Sequence, residues 1–523
     1  MNIAEIFDKQ VELRPDQPAI CDFVNHHARE TGFAAMRELS LQLAAGLQNA
    51  GLRKGDRVLV FQPMSLELYL CLLALFRIGC TAMFLDPSAG RQHIDRCCMM
   101  LPPDAMIALP KAHLLRLSSR RIRNIPLFFS TGRWLPLTRK LPYAGTGLAE
   151  NVLVSEEDPA LITFTSGSTG LPKAAIRSHG FLLDQLDALS KSITFPAGER
   201  VLETMPIFGL ANLASGMSTL IPGVNLIAPG KIDPVPVVQQ IENAKPQRLI
   251  ASPAFLEKLL SICDPNDPRL SSLEKIFTGG GPVFPDLMKR ARLCCSAAEV
   301  VAVYGSTEAE PIAHVSFAQI SESDFDKMAS GGGLLTGRVE AEVELRIIAD
   351  NWGTPLPDMT GAEFASSCVA SGVAGEIVVS GKHVLKGYYK GLGNEETKFR
   401  VDGDVWHRTG DCGTLDESGR LWLFGRCNAV IKSTSGDLYP FAIETAAMQS
   451  PLVERAALCQ YQSEIILCLQ LRNSSDIDAA VASICESIRE KINRYILLEK
   501  IPLDKRHNAK IDYPLLEEMI ARK

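Results

Sequence analysis

The feature that most constrains this chain is a repeated order of short apolar runs and amphipathic stretches. Residues 33–51 place apolar side chains at helical spacing, and a turn at 51–56 leads into a β-branched and aromatic run at 57–61. A second helical stretch, 66–77, precedes an apolar run at 82–85 that stops at Asp86 and Pro87. Strand, helix, strand at this spacing predicts a βαβ unit, and so a parallel sheet covered by helices. The order returns with strands at 160–165 and 249–250, a helix at 253–262, a strand at 275–278, a helix at 284–294 and a strand at 299–304. Beyond about residue 335, runs at 343–349, 375–380 and 420–424 lie between Gly and Asp turns and predict a β-rich subdomain. Past Gly425 and Arg426, strands near 430 and at 465–471 and one long amphipathic helix over 476–495 predict a small final domain. The expectation is an α/β protein with two domains. Residues 1–426 form a large N-terminal domain of parallel-rich βαβ subdomains plus a β-rich subdomain. Residues 427–523 form a small α+β C-terminal domain. A chain of 523 residues is long enough for both.

Charge narrows the function. Lys and Arg number 54 against 60 Asp and Glu, a net charge of -6, which excludes a generic nucleic-acid binder because phosphates demand a basic footprint. The 14 cysteines include the neighbours Cys97/Cys98 and Cys294/Cys295 but no C-x-x-C pair, so neither metal-ligand spacing nor a disulfide framework is evident. Buried thiols in a reducing cytoplasm fit that pattern. The first residues alternate charged and apolar side chains and lack the apolar core of a signal peptide. Glu67, Arg77 and Gly79 interrupt the most lipophilic stretch, 66–85, whereas a spanning helix needs about 20 mostly apolar residues. A cytoplasmic protein with no transmembrane segment is expected.

Chemistry concentrates in Thr165-Ser-Gly-Ser-Thr-Gly-Leu-Pro-Lys173, after an apolar strand and before a helix starting near His179. Thr165, Ser166, Gly167, Ser168, Thr169 and Gly170 let the backbone approach an anion closely and offer N–H and hydroxyl donors. Lys173 adds a point charge suited to phosphate. Walker A spacing fails, Ala174 follows the lysine, and no G-x-G-x-x-G opens a helix. A flexible surface loop is the plain alternative.

Four further segments stand in order behind this one: Gly279-Gly280-Gly281-Pro282, Tyr304-Gly305-Ser306-Thr307-Glu308, Thr409-Gly-Asp411 with Gly425-Arg426, and Asn508-Ala-Lys510-Ile511. Together the five resemble the adenylate-forming superfamily of acyl-CoA synthetases, peptide-synthetase adenylation domains and luciferases, from about Ile6 to the C-terminus. The resemblance implies ATP and Mg2+. It assigns Thr165–Lys173 to the β- and γ-phosphates, and Glu308, with Thr165, to the magnesium, a hard cation that prefers oxygen ligands. Tyr304 would stack on adenine beside Gly279–Gly281, with Gly305, Ser306 and Thr307 lining the nucleotide. Asp411 would accept the ribose hydroxyls and Arg426 would donate nearby. Lys510 would arrive on the mobile domain to offset charge building between carboxylate and α-phosphate. Asn428 falls where the family has its hinge, usually a charged residue.

The fate of the adenylate divides the family. In acyl-CoA synthetases a thiol attacks it; in the β-lactone synthetases of bacterial olefin biosynthesis the substrate's own β-hydroxyl does. Met205–Asn212, Ala251–Pro253, Trp406–Asp411 and Arg506–Ile511 look more like the second group, notably Ala509 where most CoA ligases carry Gly. A fatty or β-hydroxy fatty acid substrate is thereby implied, with an acyl pocket at Phe208, Leu210, Ala211 and Ser252, and a complex with other lipid-pathway enzymes is an open question. CoA enters only under the alternative, for which Lys432 and Gly436 occupy the strand that meets pantetheine in ligase relatives. A stand-alone adenylation domain and a nucleotide-binding pseudoenzyme are the remaining alternatives. His179 is readable as a helix-start packing residue or a catalytic one, and His407 as a structural histidine rather than a substrate contact. The arginine-rich stretch 116–123 is readable as a solvated face or as a membrane or partner patch.

Overall fold

Leu66–Arg77 is apolar on nearly every side, and the fold buries it accordingly. Ser65 starts this helix by accepting the Leu68 amide, and all of its residues but Glu67 are buried. Its final residue, Arg77, is also buried, because Asp8 meets the guanidinium at 2.6 Å while Ser40 and Asn151 take its other donors. The charge that interrupts the apolar stretch therefore belongs to the core. No helix among the described residues is long and apolar enough to cross a membrane.

The computed structural model describes the whole chain except residues 25–26, 87–88, 133–134, 144–150, 167–171, 433–435, 473–475, 504–510 and 523. Two compact units divide it. The first comprises Met1–Ala251, Pro268–Glu274 and Gly387–Gly393. One of its sheets runs in the order Arg139–Lys140, Leu127–Ser130, Ala105–Ala108, Arg57–Phe61, Thr81–Phe84, Pro159–Ser166, Pro172–Ser178. All neighbours are parallel except the last hairpin, as the βαβ spacing requires. Its other strands run Arg248–Ala251, Arg200–Glu203, Ser218–Leu220, Pro18–Val24, with His27–Gly32 added antiparallel.

The second unit comprises Ser252–Asp267, Lys275–Lys386 and Asn394–Lys523. Its main strands run Glu344–Ile348, Gly375–Ser380, Asp404–Leu415, Arg420–Arg426, Leu334–Val339, Ala309–Ser316, Glu299–Ser306, Lys275–Gly279, and only the last pair is parallel. The β-rich texture after residue 335 is this antiparallel part. After Arg426 comes a one-turn 3-10 helix, Cys427–Ala429, which carries Asn428. Beyond it, Val453–Tyr461, Glu464–Leu471 and Arg494–Leu497 form a three-stranded sheet.

The single helix expected over 476–495 does not form. Two short helices, Ile477–Ala482 and Glu486–Arg489, stand there, and Arg494–Leu497 is a strand. Cys485 leaves helical geometry at ψ 136°, and Ile484 and Ile488 still bury on either side of the break. The apolar spacing survived the interruption, which is why it read as continuous. Near Val430 there is an isolated bridge between Ile431 and Leu438 rather than a strand.

Candidate active site

In the second unit, two hairpins and one long strand bring together side chains far apart in sequence. Strands Glu299–Ser306 and Ala309–Ser316 pair Ser306 with Ala309, so Thr307 and Glu308 form the tip of a tight turn. A Cβ at Gly305 would lie 3.0 Å from the Ala309 carbonyl, and the close return of the chain accounts for the glycine. The Glu308 amide donates to Ser306 Oγ at 3.3 Å, and its carbonyl accepts Leu385 N at 2.7 Å.

Asp411 and Arg426 face each other across the antiparallel pair Asp404–Leu415 and Arg420–Arg426. Arg426 Nε lies 3.2 Å from Asp411 Oδ1, while Nη1 donates to the Thr409 carbonyl at 3.0 Å. The Tyr304 hydroxyl, on a strand not adjacent to either, donates to Asp411 Oδ2 at 2.7 Å. Burial of the hydroxyl, followed by the Asp411 carboxylate, holds the Tyr304 phenol well above its ordinary value, so it is the donor. The Asp411 carboxylate in turn raises the Arg426 guanidinium. Thr409 Oγ1 accepts the Asp411 amide at 3.0 Å and donates to the Ile377 carbonyl at 2.8 Å, which fixes the backbone under the carboxylate. Asp411 thus has one oxygen on a phenol and one on a guanidinium, with lone pairs to spare for further donors.

Beneath this pair lies a contact that sequence spacing did not reveal. The buried Cys412 and Cys427 thiols, each one residue beyond Asp411 and Arg426, are 3.1 Å apart, and Asp350 Oδ2 is 3.8 Å from Cys412 Sγ. Among the described residues this is the one group of metal-ligating types that converges. Two thiolates on one tetrahedral zinc with 2.3 Å bonds would stand about 3.8 Å apart, so the contact is that of a paired thiol. The Cys427 thiol is pushed up strongly, by its bond to Cys412 first and by burial second.

Gly279 ends the strand Lys275–Gly279, where a Cβ would come within 2.6 Å of the Val303 carbonyl on the neighbouring strand. Gly280 has φ +76°, a conformation L side chains rarely adopt. At these two positions, strand packing and backbone conformation account for the glycines. Gly281 follows in the loop before the helix Pro285–Cys294. Ser252 caps the helix Pro253–Leu260 by accepting the Phe255 amide.

In the first unit, Thr165 and Lys173 are Cα partners in the hairpin of Pro159–Ser166 and Pro172–Ser178. Lys173 is buried, with its ammonium 5.8 Å from the centroid of the Tyr388 ring. Gly393, at φ +97°, lets its stem pass, since a Cβ there would come within 2.6 Å. The tip between the strands, Gly167, Ser168, Thr169 and Gly170, lies outside the described residues, as does Lys510.

Phe208, Leu210 and Ala211 lie on the helix Pro206–Ala214, which Glu203 starts by accepting the Met205 amide at 2.8 Å. Leu210 and Ala211 line a small apolar cavity with Phe7, Phe76, Leu182 and Ile207, whereas Phe208 is not part of it. His179 is a packing residue: it accepts the Ile3 amide at 3.2 Å, stacks edge-on with Phe76, and burial lowers its imidazole to about 4. His407 is buried against the Thr397 carbonyl at 3.1 Å. Lys432 is exposed and pairs with Asp437 at 2.8 Å.

The AMP-binding enzyme family model matches residues 7–389. An olefin β-lactone synthetase of Stenotrophomonas maltophilia is 31% identical over 98% of this chain and 96% of its own. An indoleacetate–CoA ligase of Aromatoleum aromaticum is 27% identical over 88% of this chain and 85% of its own. Among solved structures, the amide bond synthetase McbA of Marinactinospora thermotolerans superposes with a TM-score of 0.79 at 20% identity, covering 99% of each chain, and shares the fold. With most of its length under the family model and relatives aligned nearly end to end, this chain belongs to the AMP-binding enzymes and is an adenylate-forming ligase or synthetase.

Proposed function

We propose that the protein joins a long-chain β-hydroxy acid to AMP and then closes it to a β-lactone. In the first step a carboxylate oxygen attacks the α-phosphorus of ATP, and the bond to pyrophosphate breaks. In the second, the substrate's β-hydroxyl oxygen bonds to the carbonyl carbon, its proton is released, and the anhydride bond breaks with AMP as leaving group. A tethered hydroxyl gains effective molarity that offsets part of the strain of a four-membered ring.

The observation that carries the nucleotide part is the Tyr304–Asp411–Arg426 cluster, a carboxylate held by two donors and still able to accept two ribose hydroxyls. In this reading Tyr304 also stacks on adenine beside Gly279–Gly281, while Gly305, Ser306 and Thr307 line the nucleotide. The loop Thr165–Lys173 holds the outer phosphates, with Lys173 as its fixed charge. Glu308 and Thr165 are oxygen donors, the chemistry that magnesium takes, and are the residues to hold it. When bound, the ion would neutralise part of the triphosphate charge. Lys510 offsets charge on the carboxylate and α-phosphate, and Asn428 is the hinge that brings residues 427–523 into place. Leu210 and Ala211 contact the acyl part.

Lactone formation is supported by the end-to-end similarity to an olefin β-lactone synthetase, and by Ala509 before the terminal lysine. Thioester formation with CoA is the second reading, favoured by the similarity to a CoA ligase. Mass spectrometry of products from a β-hydroxy acid, ATP and magnesium separates them. A β-lactone without any thiol, with little AMP released from the acid lacking its β-hydroxyl, is expected. Acyl-CoA as the main product from both acids would overturn the lactone step and leave the family assignment intact.

A further inference from the structure

One region of the first unit stands apart by charge. Residues 89–143 hold ten lysines and arginines against two acids, Asp95 and Asp104, in a chain of net charge -6. Both acids are engaged: Asp95 accepts the Ser119 hydroxyl, and Asp104 pairs with Arg57 at 3.5 Å. Two one-turn helices, Leu115–Ser118 and Arg120–Arg123, lie at its centre. Neighbouring segments are tied to them. Arg91 of the helix Arg91–Met100 donates to the Ser118 carbonyl at 3.4 Å, and Arg116 donates to the Pro136 carbonyl at 3.5 Å. Arg123 turns back on the carbonyls of Arg116 and Leu117, both at 2.9 Å.

The same segments leave large apolar side chains in water. Leu114 is 61% exposed, Leu117 76% and Leu137 82%. Single exposed leucines are ordinary, but three on linked segments interleaved with arginines form a patch. We propose that this face docks the protein on a bilayer surface bearing anionic headgroups. The arginines meet headgroup phosphates, and the three leucines enter the boundary between headgroups and acyl chains. Charge complementarity argues for this occupant, and so does the spacing of the leucines. A fluid layer accepts separated side chains with no match of shape, whereas a folded partner would have to supply three matching pockets. A membrane is also where a long-chain acid would be met, although the docking stands or falls independently of the reaction.

The test is co-sedimentation of the full chain with vesicles of phosphatidylcholine, with and without phosphatidylglycerol. Binding about ten-fold or more stronger to the anionic vesicles is expected. Replacing Arg120, Arg121 and Arg123 by Gln should remove most of that preference. Leu114→Ser with Leu117→Ser should weaken binding at every salt concentration, with pyrophosphate release from acid and ATP unchanged in both variants. Equal binding to the two vesicles would overturn the proposal. Anionic binding indifferent to the leucine substitutions would overturn it too, and would leave a basic face suited to an acidic protein.

Discussion

The Tyr304 hydroxyl does two jobs in one position: it keeps its proton because burial and Asp411 both oppose ionisation, and that proton orients Asp411. Tyr304→Phe keeps the ring and deletes the bond. We expect the KM for ATP to rise about five-fold, the worth of one hydrogen bond near 1 kcal/mol, with kcat nearly unchanged. Asp411→Asn, which removes a charge as well, should cost about ten-fold or more in the same parameter. Steady-state kinetics with ATP varied checks both. A second residue reports on stability. Glu444 is buried, and its carboxylate accepts the Leu458 amide at 2.8 Å and the Tyr513 hydroxyl at 2.7 Å. Burial pushes its carboxyl up from 4.5 to about 7, against those two bonds. The folded chain therefore binds a proton that the unfolded chain has lost between those values. Stability contributed by the neutral form is complete below pH 4.5 and is lost as pH rises to about 7. Glu444→Gln should flatten this dependence by about 2.5 kcal/mol, read from denaturation midpoints at pH 5 and pH 8.

Arg408 and Glu376 join the strands Asp404–Leu415 and Gly375–Ser380 through an ion pair of 2.6 Å with no exposed side-chain surface on either residue. Arg408 also donates to the Thr354 carbonyl at 2.6 Å and lies over the Trp352 ring. Burial raises the Glu376 carboxyl, and Arg408 opposes the rise. Arg408→Ala strands that carboxylate and should cost about 3–5 kcal/mol, whereas replacing both residues with Met should cost much less. Thermal melts of the single and double variants decide this. Legibility in the sequence follows the same physics. Gly375–Ser380 and Leu66–Arg77 read correctly because each is almost entirely buried and mostly apolar, the charges of Glu376 and Arg77 being paired inside the core. Val453–Tyr461 went unread because Glu454 and Arg455 disguise the start of a strand buried on both faces, with Ala456 and Leu458 on one and Ala457 and Cys459 on the other. The motif residues were visible because they are punctuated by Gly and Thr. The phenol-to-carboxylate bond between Tyr304 and Asp411 was not, since 107 residues separate them. Nor did spacing disclose the Cys412–Cys427 contact, which depends on strand register.

Taken as a whole, the chain distributes its chemistry over separately packed parts. Thr165 and Lys173 belong to one unit, while Tyr304, Glu308, Asp411 and Arg426 belong to the other. The role proposed for Lys510 is that of a charge that reaches the carboxylate and α-phosphate late. Lys510→Ala should lower acid-dependent pyrophosphate release about 10²- to 10³-fold while ATP binding, followed by equilibrium titration, stays near its parental value. Persistence of the parental rate would remove Lys510 from the reaction. The central claim, that the carboxylate itself attacks the α-phosphorus, has a direct isotopic test. A β-hydroxy acid labelled with oxygen-18 in both carboxylate positions is turned over with ATP and magnesium, and the AMP is weighed. Our account predicts AMP carrying one labelled oxygen and product retaining the other. Unlabelled AMP, or label recovered in inorganic phosphate, would contradict it.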